Sequence, residues 1–172
     1  MGMGDRDYTL NTLRIKTTLN GLPRVDTIEP RMLLADYLRE HVGLKGTKVS
    51  CDTQICGTCT ILLEGKPVSS CTTLAAEADG RSVETIEGLA PPNGLHPIQE
   101  AFVQYSALQC GYCTPGMIMT AYALLSNQSD ISEAAIRHYF QGNICRCGTY
   151  GAIIEAILSV RPSQGDSGKS SE

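Results

Sequence analysis

Tryptophan is absent from this 172-residue sequence, and phenylalanine occurs only twice. A hydrophobic core built from it must therefore be largely aliphatic. Uninterrupted apolar runs are short, and none approaches the roughly 18 residues of a membrane-spanning helix, so no membrane span is expected. The N-terminus also lacks a basic segment followed by an apolar one. Because that pattern marks a secretory signal, its absence predicts a cytoplasmic protein.

Positive charge is scarce as well. The 14 Lys and Arg residues are outnumbered by 18 Asp and Glu residues, which gives a net charge of −4. Proteins that bind nucleic acid usually present a basic patch, so we predict no nucleic-acid partner. Hydrophobic residues make up 42% of the chain and charged residues 19%. That balance is typical of a globular chain, and the length allows one domain or two small ones.

The first half of the chain predicts a small mixed sheet with one helix across it. Residues 12–28 contain two β-rich runs separated by the Asn-Gly dipeptide at 20–21, a pair typical of tight hairpin turns. Apolar residues recur at helical spacing within residues 31–43, which predicts an amphipathic helix. A second hairpin is expected around residues 64–66, and a last short strand within residues 81–86.

The composition changes at residues 89–97, LAPPNGLHP, where three prolines predict a linker between two domains. We place the first domain at residues 10–88, after an extension at 1–9, and a helical domain at residues 98–161. Four apolar patterns with short connections predict a compact bundle of four helices there. The small, polar residues 162–172 predict a disordered tail.

The first cysteine set has a spacing that is typical of an iron-sulfur site. Its pattern is C-x4-C-x2-C-x11-C, and the first three members have the spacing by which plant-type ferredoxins hold a [2Fe-2S] cluster. A zinc ribbon usually pairs two C-x2-C motifs instead, and a reducing cytoplasm disfavours disulfides. The set consists of Cys51, Cys56, Cys59 and Cys71.

A second cysteine set lies in the helical half and consists of Cys110, Cys113, Cys145 and Cys147. A C-x2-C pair and a C-x-C pair are separated by one predicted helical hairpin. We expect Thr114 to cap the helix after Cys113 and Thr149 to cap the helix after Cys147, so that two helix N-termini face the site. Four thiolates bind iron-sulfur clusters and zinc alike, so the spacing of this set leaves both open.

Taken together, the motifs GTKVSCDTQICGTCTILLEGKPVSSC, QCGYCTPGMIMTA and NICRCGTY closely resemble the small iron-sulfur subunit of the molybdenum hydroxylases. That family includes xanthine dehydrogenase, aldehyde oxidoreductase and aerobic carbon monoxide dehydrogenase. The resemblance spans roughly residues 10–160. It implies an α+β chain, with an N-terminal β-grasp, ferredoxin-like domain and a C-terminal four-helix-bundle domain, each holding one [2Fe-2S] cluster.

The resemblance also implies roles for individual residues. The first cysteine set would bind the cluster nearer the flavin, and the second set the cluster nearer the molybdenum cofactor. Gln109 would hydrogen-bond the pterin of that cofactor, with Cys110 and Gly111 close to it. The chain departs from the usual family pattern at Gln54 and Ile55, so the first cluster's loop is expected to form different hydrogen bonds.

The function implied is electron transfer without substrate chemistry on this chain. Electrons would pass from the molybdopterin-type cofactor of a large partner subunit, through both clusters, to FAD on a medium partner subunit, in an assembly expected to be a dimer of heterotrimers. Two other functions fit the cysteine content less completely. One is a free-standing two-cluster ferredoxin, and the other is a structural zinc protein with two four-cysteine sites.

Overall fold

The computed structural model describes residues 11–127 and 131–161, and its first half is built on a five-stranded mixed sheet. The strand order is β2-β1-β5-β3-β4. Strand β1 is antiparallel to β2 and parallel to β5, whereas β3 is antiparallel to both β4 and β5. The strands are β1 (Leu13–Leu19), β2 (Leu22–Ile28), β3 (Thr60–Leu63), β4 (Lys66–Ser69) and β5 (Ser82–Glu84).

Both predicted hairpins are confirmed, and each turns at two residues with left-handed backbone. The φ angles are 50° at Asn20 and 79° at Gly21 in the first turn, and 53° at Glu64 and 70° at Gly65 in the second. Two successive positive φ angles match the right-handed twist of the flanking strands. The short strand β5 is confirmed as well.

The helix predicted over residues 31–43 is much shorter than expected. Only Leu34–Asp36 is α-helical (α1), and the chain continues as a π-helical turn over Tyr37–His41. Leu33 is extended and forms an isolated β-bridge with Leu74, which prevents the helix from starting earlier. The apolar periodicity was nevertheless a correct guide to burial, because Leu34 and the tyrosine and leucine at 37–38 are all buried.

The second half is helical, which confirms the α+β class. In the described residues the helices are α2 (Ile86–Leu89), α3 (Pro97–Gln104), α4 (Thr114–Asn127), α5 (Glu133–Tyr139) and α6 (Tyr150–Ser159). The last four coincide with the four predicted patterns, and their arrangement as a four-helix bundle stays a prediction. No helix within 11–127 or 131–161 is long and apolar enough to cross a membrane.

The ends of these helices refine several expectations. Irregular chain at 90–96 separates α2 from α3, where we predicted a linker. Helix α5 is capped by Ser132, whose hydroxyl accepts a hydrogen bond from the Ala135 amide at 3.3 Å. Asp130 and Glu133 have the sequence spacing of a capping box, which predicts a helix start at Asp130, but Asp130 lies outside the described residues. So do the predicted extension at 1–9 and the predicted tail at 162–172.

The sheet and the helices meet along one surface. Leu62 of β3 packs against Met119 and Ala123 of α4, and all three are buried. Gly116 at the start of α4 lies directly under the first cysteine loop, because a Cβ there would collide with the Gly57 carbonyl and lie 2.8 Å from the Thr58 carbonyl oxygen. The two halves are therefore in close contact beside the cysteines.

Candidate metal centres

The loop that carries Cys51, Cys56 and Cys59 is shaped by residues with left-handed backbone. The φ angles are 58° at Asp52, 64° at Gln54 and 66° at Gly57. Left-handed turns of this kind direct successive amide N–H groups to one side. The amides of Thr53 and Cys56 accordingly donate to the Cys51 sulfur at 3.5 and 3.4 Å. Gln54, one of the two departures from the family pattern, thus stands where glycine would be less strained.

Cys71 is brought to this loop by the end of β4. The backbone amide and the hydroxyl of Ser70 both donate to the Cys59 carbonyl, at 3.4 and 2.7 Å. This pair of hydrogen bonds holds Cys71 beside the loop. Cys56, Cys59 and Cys71 are buried, and Cys51 is partly exposed. The first set is therefore accessible to solvent mainly at Cys51.

The thiols of the first set differ in their tendency to ionise. Hydrogen bonds from Thr53, followed by those from Cys56, lower the pKa of Cys51 to about 6. Burial raises the pKa of Cys59 to about 11. A thiolate is the form that binds metal, so Cys51 is already biased toward its ligating form.

The first half of the second set lies at the start of α4, where one sequence expectation is wrong. The carbonyl of Cys113 accepts the first hydrogen bond of the helix, from the Met117 amide at 3.0 Å. Cys113 itself therefore occupies the N-cap position, and Thr114 is already inside the helix. The predicted helix N-terminus beside the second set is nevertheless present.

The second half of this set is held by the residues that follow it. The Cys145 amide donates to the Tyr150 hydroxyl oxygen at 2.7 Å. Thr149 precedes α6 as expected, but its hydroxyl lies 3.3 Å from the Cys145 sulfur and makes no capping hydrogen bond. The Thr149 side chain thus contacts a candidate ligand rather than the helix.

The pKa values of the Cys113 and Cys145 thiols are shifted in opposite directions. Burial raises the pKa of Cys113 to about 12. Burial acts against ionisation of Cys145 too, but hydrogen bonds from Thr149, Cys113 and Cys147 outweigh it and lower the pKa to about 7. Each set therefore contains one thiol with a lowered pKa and one with a raised pKa.

The outer side of the second set is open to solvent. Gln109 and Cys110 are exposed, and Gly111, with φ of 78°, lines a shallow groove. The structure therefore places the predicted pterin-contact residues together at the surface. Several large apolar side chains near them are also exposed, namely Leu95, Val103, Leu108 and Tyr112.

The inner sides of the two sets are in direct contact. The Ile144 amide, next to Cys145, donates to the carbonyl of Cys56 at 2.9 Å. A second contact between the sets lies nearer the surface. The hydroxyl of Tyr112, which stands between Cys110 and Cys113 in the sequence, donates to the Val49 carbonyl at 2.6 Å. The hydrogen bond from Ile144 to Cys56 thus joins a cysteine of the first set to the residue that precedes Cys145 of the second set.

The donor chemistry of both sets fits an iron-sulfur cluster. All eight cysteines are free thiols and are therefore available as ligands. Amide donors near sulfur, and a helix N-terminus beside the second set, stabilise the net negative charge of such a cluster. The residues present therefore suit a [2Fe-2S] group in each set.

Sequence reasoning missed one buried polar residue between the sets, Asn143. Its side-chain amide donates to the Gly57 carbonyl and to the Thr120 hydroxyl, at 3.4 and 3.0 Å. The only available signal was its position two residues before Cys145, since its partner Gly57 is 86 residues away in the chain.

Two protein-family models match the chain in the order of its cysteine sets. The model described as "2Fe-2S iron-sulfur cluster binding domain" matches residues 17–89, and the model "[2Fe-2S] binding domain" matches residues 85–158. Both halves are therefore similar to iron-sulfur domains, and the zinc alternative for the second set finds no support in these matches.

Known proteins resemble nearly the whole chain. The 6-hydroxypseudooxynicotine dehydrogenase complex subunit beta of Paenarthrobacter nicotinovorans is 44% identical, over 87% of this chain and 94% of that protein. The caffeine dehydrogenase subunit gamma of Pseudomonas sp. (strain CBB1) is 45% identical, over 87% and 91% respectively. Among solved structures, quinoline 2-oxidoreductase from Pseudomonas putida 86 matches with a TM-score of 0.84 and 49% identity, covering 87% of this chain and 92% of that chain.

Proposed function

This chain belongs to the small iron-sulfur subunits of the molybdenum hydroxylase family, and on that premise we propose that it carries electrons through two [2Fe-2S] clusters, from a molybdopterin-type cofactor to FAD. Both of those cofactors belong to partner subunits. The chain is a component of an oxidoreductase complex and performs no substrate chemistry of its own. When bound, each cluster supplies one-electron redox chemistry.

The ligand assignment follows the two cysteine sets. The flavin-side cluster is held by Cys51, Cys56, Cys59 and Cys71, and the molybdenum-side cluster by Cys110, Cys113, Cys145 and Cys147. Bounds of 10–88 and 98–161 for the two domains are part of the same proposal. They agree in outline with the positions of the sheet and of helices α3 to α6.

The observation that carries the proposal is the backbone hydrogen bond from Ile144 to Cys56, 2.9 Å long. It joins the buried inner sides of the two sets, whereas Cys110 and Cys51 lie at their outer, solvent-facing sides. A chain that accepts electrons at one surface and releases them at another needs its ligands in this order along the path. An exposed cysteine comes first, two buried cysteines follow, and a second exposed cysteine comes last. A single-cluster carrier does not.

Partner subunits are part of the proposal because two relatives of similar length are described as subunit beta of a dehydrogenase complex and as subunit gamma of a dehydrogenase. We propose a large molybdopterin-binding subunit at the Cys110 surface, where the exposed apolar residues Leu108 and Tyr112 favour contact with another protein. Gln109 is exposed beside them, and its amide can both donate to and accept from a pterin edge. A medium FAD-binding subunit would contact the Cys51 surface, where Ile55 is 63% exposed. A dimer of heterotrimers and a cytoplasmic location complete the proposal.

Metal analysis and EPR spectroscopy of the purified chain test the cluster content. We expect about four irons and four sulfides per chain, and two distinct [2Fe-2S] signals after reduction. Zinc in place of iron, with no EPR signal on reduction, would establish the structural zinc alternative instead.

Purification with partner proteins tests the subunit role. We expect the chain to copurify with a molybdenum-containing and a flavin-containing protein, and the complex to reduce its FAD when substrate is added. A stable monomer that exchanges electrons with several unrelated proteins would support the free-standing ferredoxin and contradict our proposal.

A further inference from the structure

We propose that Asn143 is a positioning residue that fixes the separation of the two cysteine sets and so controls electron transfer between them. The inference rests on the proposed two-cluster function. Asn143 lies two residues before Cys145 and is only 7% exposed. Its side chain contacts the loop of the first set.

The side chain of Asn143 joins three parts of the chain. Its amide nitrogen donates to the Gly57 carbonyl at 3.4 Å and to the Thr120 hydroxyl at 3.0 Å. Gly57 lies in the first cysteine loop, directly after Cys56, and Thr120 lies in α4. The asparagine therefore connects the loop of the first set, the helix that begins at Cys113, and its own segment before Cys145.

The partners of Asn143 are themselves fixed. The Thr120 hydroxyl donates to the Gly116 carbonyl at 2.9 Å, which leaves its lone pairs to accept from Asn143. The Gly57 carbonyl also accepts from the Thr60 hydroxyl at 2.7 Å. A Cβ at Gly57 would lie 2.5 Å from the Asn143 amide nitrogen. The glycine thus allows the asparagine to approach the loop closely.

The backbone of Asn143 is tied to the second set. Its carbonyl accepts a hydrogen bond from the Tyr150 hydroxyl at 3.3 Å, and the oxygen of that hydroxyl accepts one from the Cys145 amide at 2.7 Å. Through its side chain Asn143 holds the first set, and through its backbone it holds the second. The side-chain part of this network is buried, and a buried network whose members are all paired specifies one arrangement.

Removing the side chain should therefore change the distance between the two clusters more than it changes the structure of either cluster. Electron tunnelling and the magnetic interaction between two unpaired spins both weaken steeply as separation grows. In Asn143→Ala the loop loses its side-chain links to Thr120 and to Asn143, and the backbone hydrogen bond from Ile144 to Cys56 is left as its remaining hydrogen bond to the segment before Cys145. With fewer restraints the two sets can move apart. The ligands themselves are unchanged.

The test uses the full chain with both clusters in place and compares Asn143→Ala with wild type. We expect unchanged iron content, two retained EPR signals, a smaller spin-spin splitting in the fully reduced protein, and slower transfer between the clusters. Asn127→Ala is the matched control. Its side-chain amide likewise makes two hydrogen bonds, to the carbonyls of Gly65 and Ala123 at 3.3 and 2.9 Å. These bonds also join α4 to the first domain, but far from the cysteines.

A milder variant covers the case in which Asn143→Ala loses a cluster. Thr120→Val has nearly the same shape and removes one acceptor of the Asn143 amide, and we expect a smaller change in the same direction. The inference would be overturned if Asn143→Ala and Thr120→Val both showed the spin-spin splitting and the inter-cluster transfer rate of the wild type. Values equal to those of Asn127→Ala would overturn it as well. That result leaves the proposed function standing, whereas wild-type protein without two cluster signals would contradict the proposed function itself.

Discussion

Cys113 is the residue at which the second set depends most on its surroundings. It precedes α4, its carbonyl starts that helix, and burial raises the pKa of its thiol to about 12. A partly buried thiol whose pKa is raised in this way is stabilised as a thiolate only when a metal or another charge is present. Its replacement therefore tests the assignment of the second set directly.

Replacing Cys113 with serine should remove or strongly alter the second cluster, because a hydroxyl is a poorer ligand than a thiolate for an iron-sulfur core. We expect the EPR signal of the first cluster to remain and turnover of the complex to fall below detection. The reciprocal variant Cys71→Ser serves as the control and should alter only the first signal. Turnover at the wild-type rate in Cys113→Ser would show that electrons do not pass through the second set.

Gln109 supplies a second prediction for a single side chain. Because the residue is exposed and its proposed role is contact with a partner's cofactor, Gln109→Ala should leave both cluster signals intact and lower the molybdenum content and turnover of the complex. The matched control is Gln104→Ala, at the exposed end of α3. Loss of a cluster signal in Gln109→Ala would show that the residue supports the cluster instead.

The cysteine ligand candidates could be predicted from the sequence because their spacing is a local pattern. Asn143 could not, because what makes it important is a hydrogen bond to Gly57, 86 residues away. The left-handed backbone at Gln54 was also hidden, since glutamine gives no local sign of a positive φ angle. Residues whose role depends on distant partners become visible only in the folded chain.

Among secondary-structure elements, the hairpins were predictable and the first helix was not. Both turns are determined by the two residues at their tips, Asn20-Gly21 and Glu64-Gly65. The helix over 31–43 was shortened by pairing between Leu33 and Leu74, a contact across 41 positions in the sequence. Helix α4 was correctly placed because nearly all of its sides are apolar, a pattern that tertiary contacts reinforced.

Helix α4 provides a prediction about packing between the halves. A Cβ at Gly116 would collide with the Gly57 carbonyl, and overpacking of this kind typically costs about 1–3 kcal/mol. Gly116→Ala should therefore lower the free energy of unfolding by a similar amount and broaden the EPR signal of the first cluster. Denaturant unfolding and EPR measure the two effects.

Gly151→Ala, near the start of α6, is the matched control. A Cβ at Gly151 would meet none of the described residues within 4 Å, and alanine loses less backbone entropy than glycine when a helix forms. The substitution should therefore raise the free energy of unfolding by roughly 0.4–1 kcal/mol. Equal destabilisation in both variants would show that the close approach at Gly116 does not limit packing.

At the scale of the whole molecule, two apolar cores are joined beside the cysteines. The sheet core contains Ile15, Tyr37 and Ile61, and the helical core contains Phe102 and Ile157. These cores account for the stability of each half, whereas the loops between them are rich in left-handed backbone and hold few apolar residues. Metal ligation should therefore contribute most of the order in the loops.

Iron removal tests this division. In protein stripped of iron with a chelator under reducing conditions, amide hydrogen exchange should accelerate in residues 51–59 and 143–148 and remain slow in β1 and in the centre of α4. The reason is that strand and helix hydrogen bonds persist while the loops lose their shared ligand. Hydrogen exchange read by mass spectrometry measures it. Uniform acceleration across the chain would contradict the prediction.

The burial of Cys56 and Cys145 on facing sides of one contact constrains how the protein is made. In iron-free protein the loops on both sides of this contact are expected to be open, so iron and sulfide can reach these sulfurs before the hydrogen bond from Ile144 to Cys56 forms. We therefore expect cluster insertion to complete the contact between the two halves, and a chain that receives no iron to keep its inner ligands accessible.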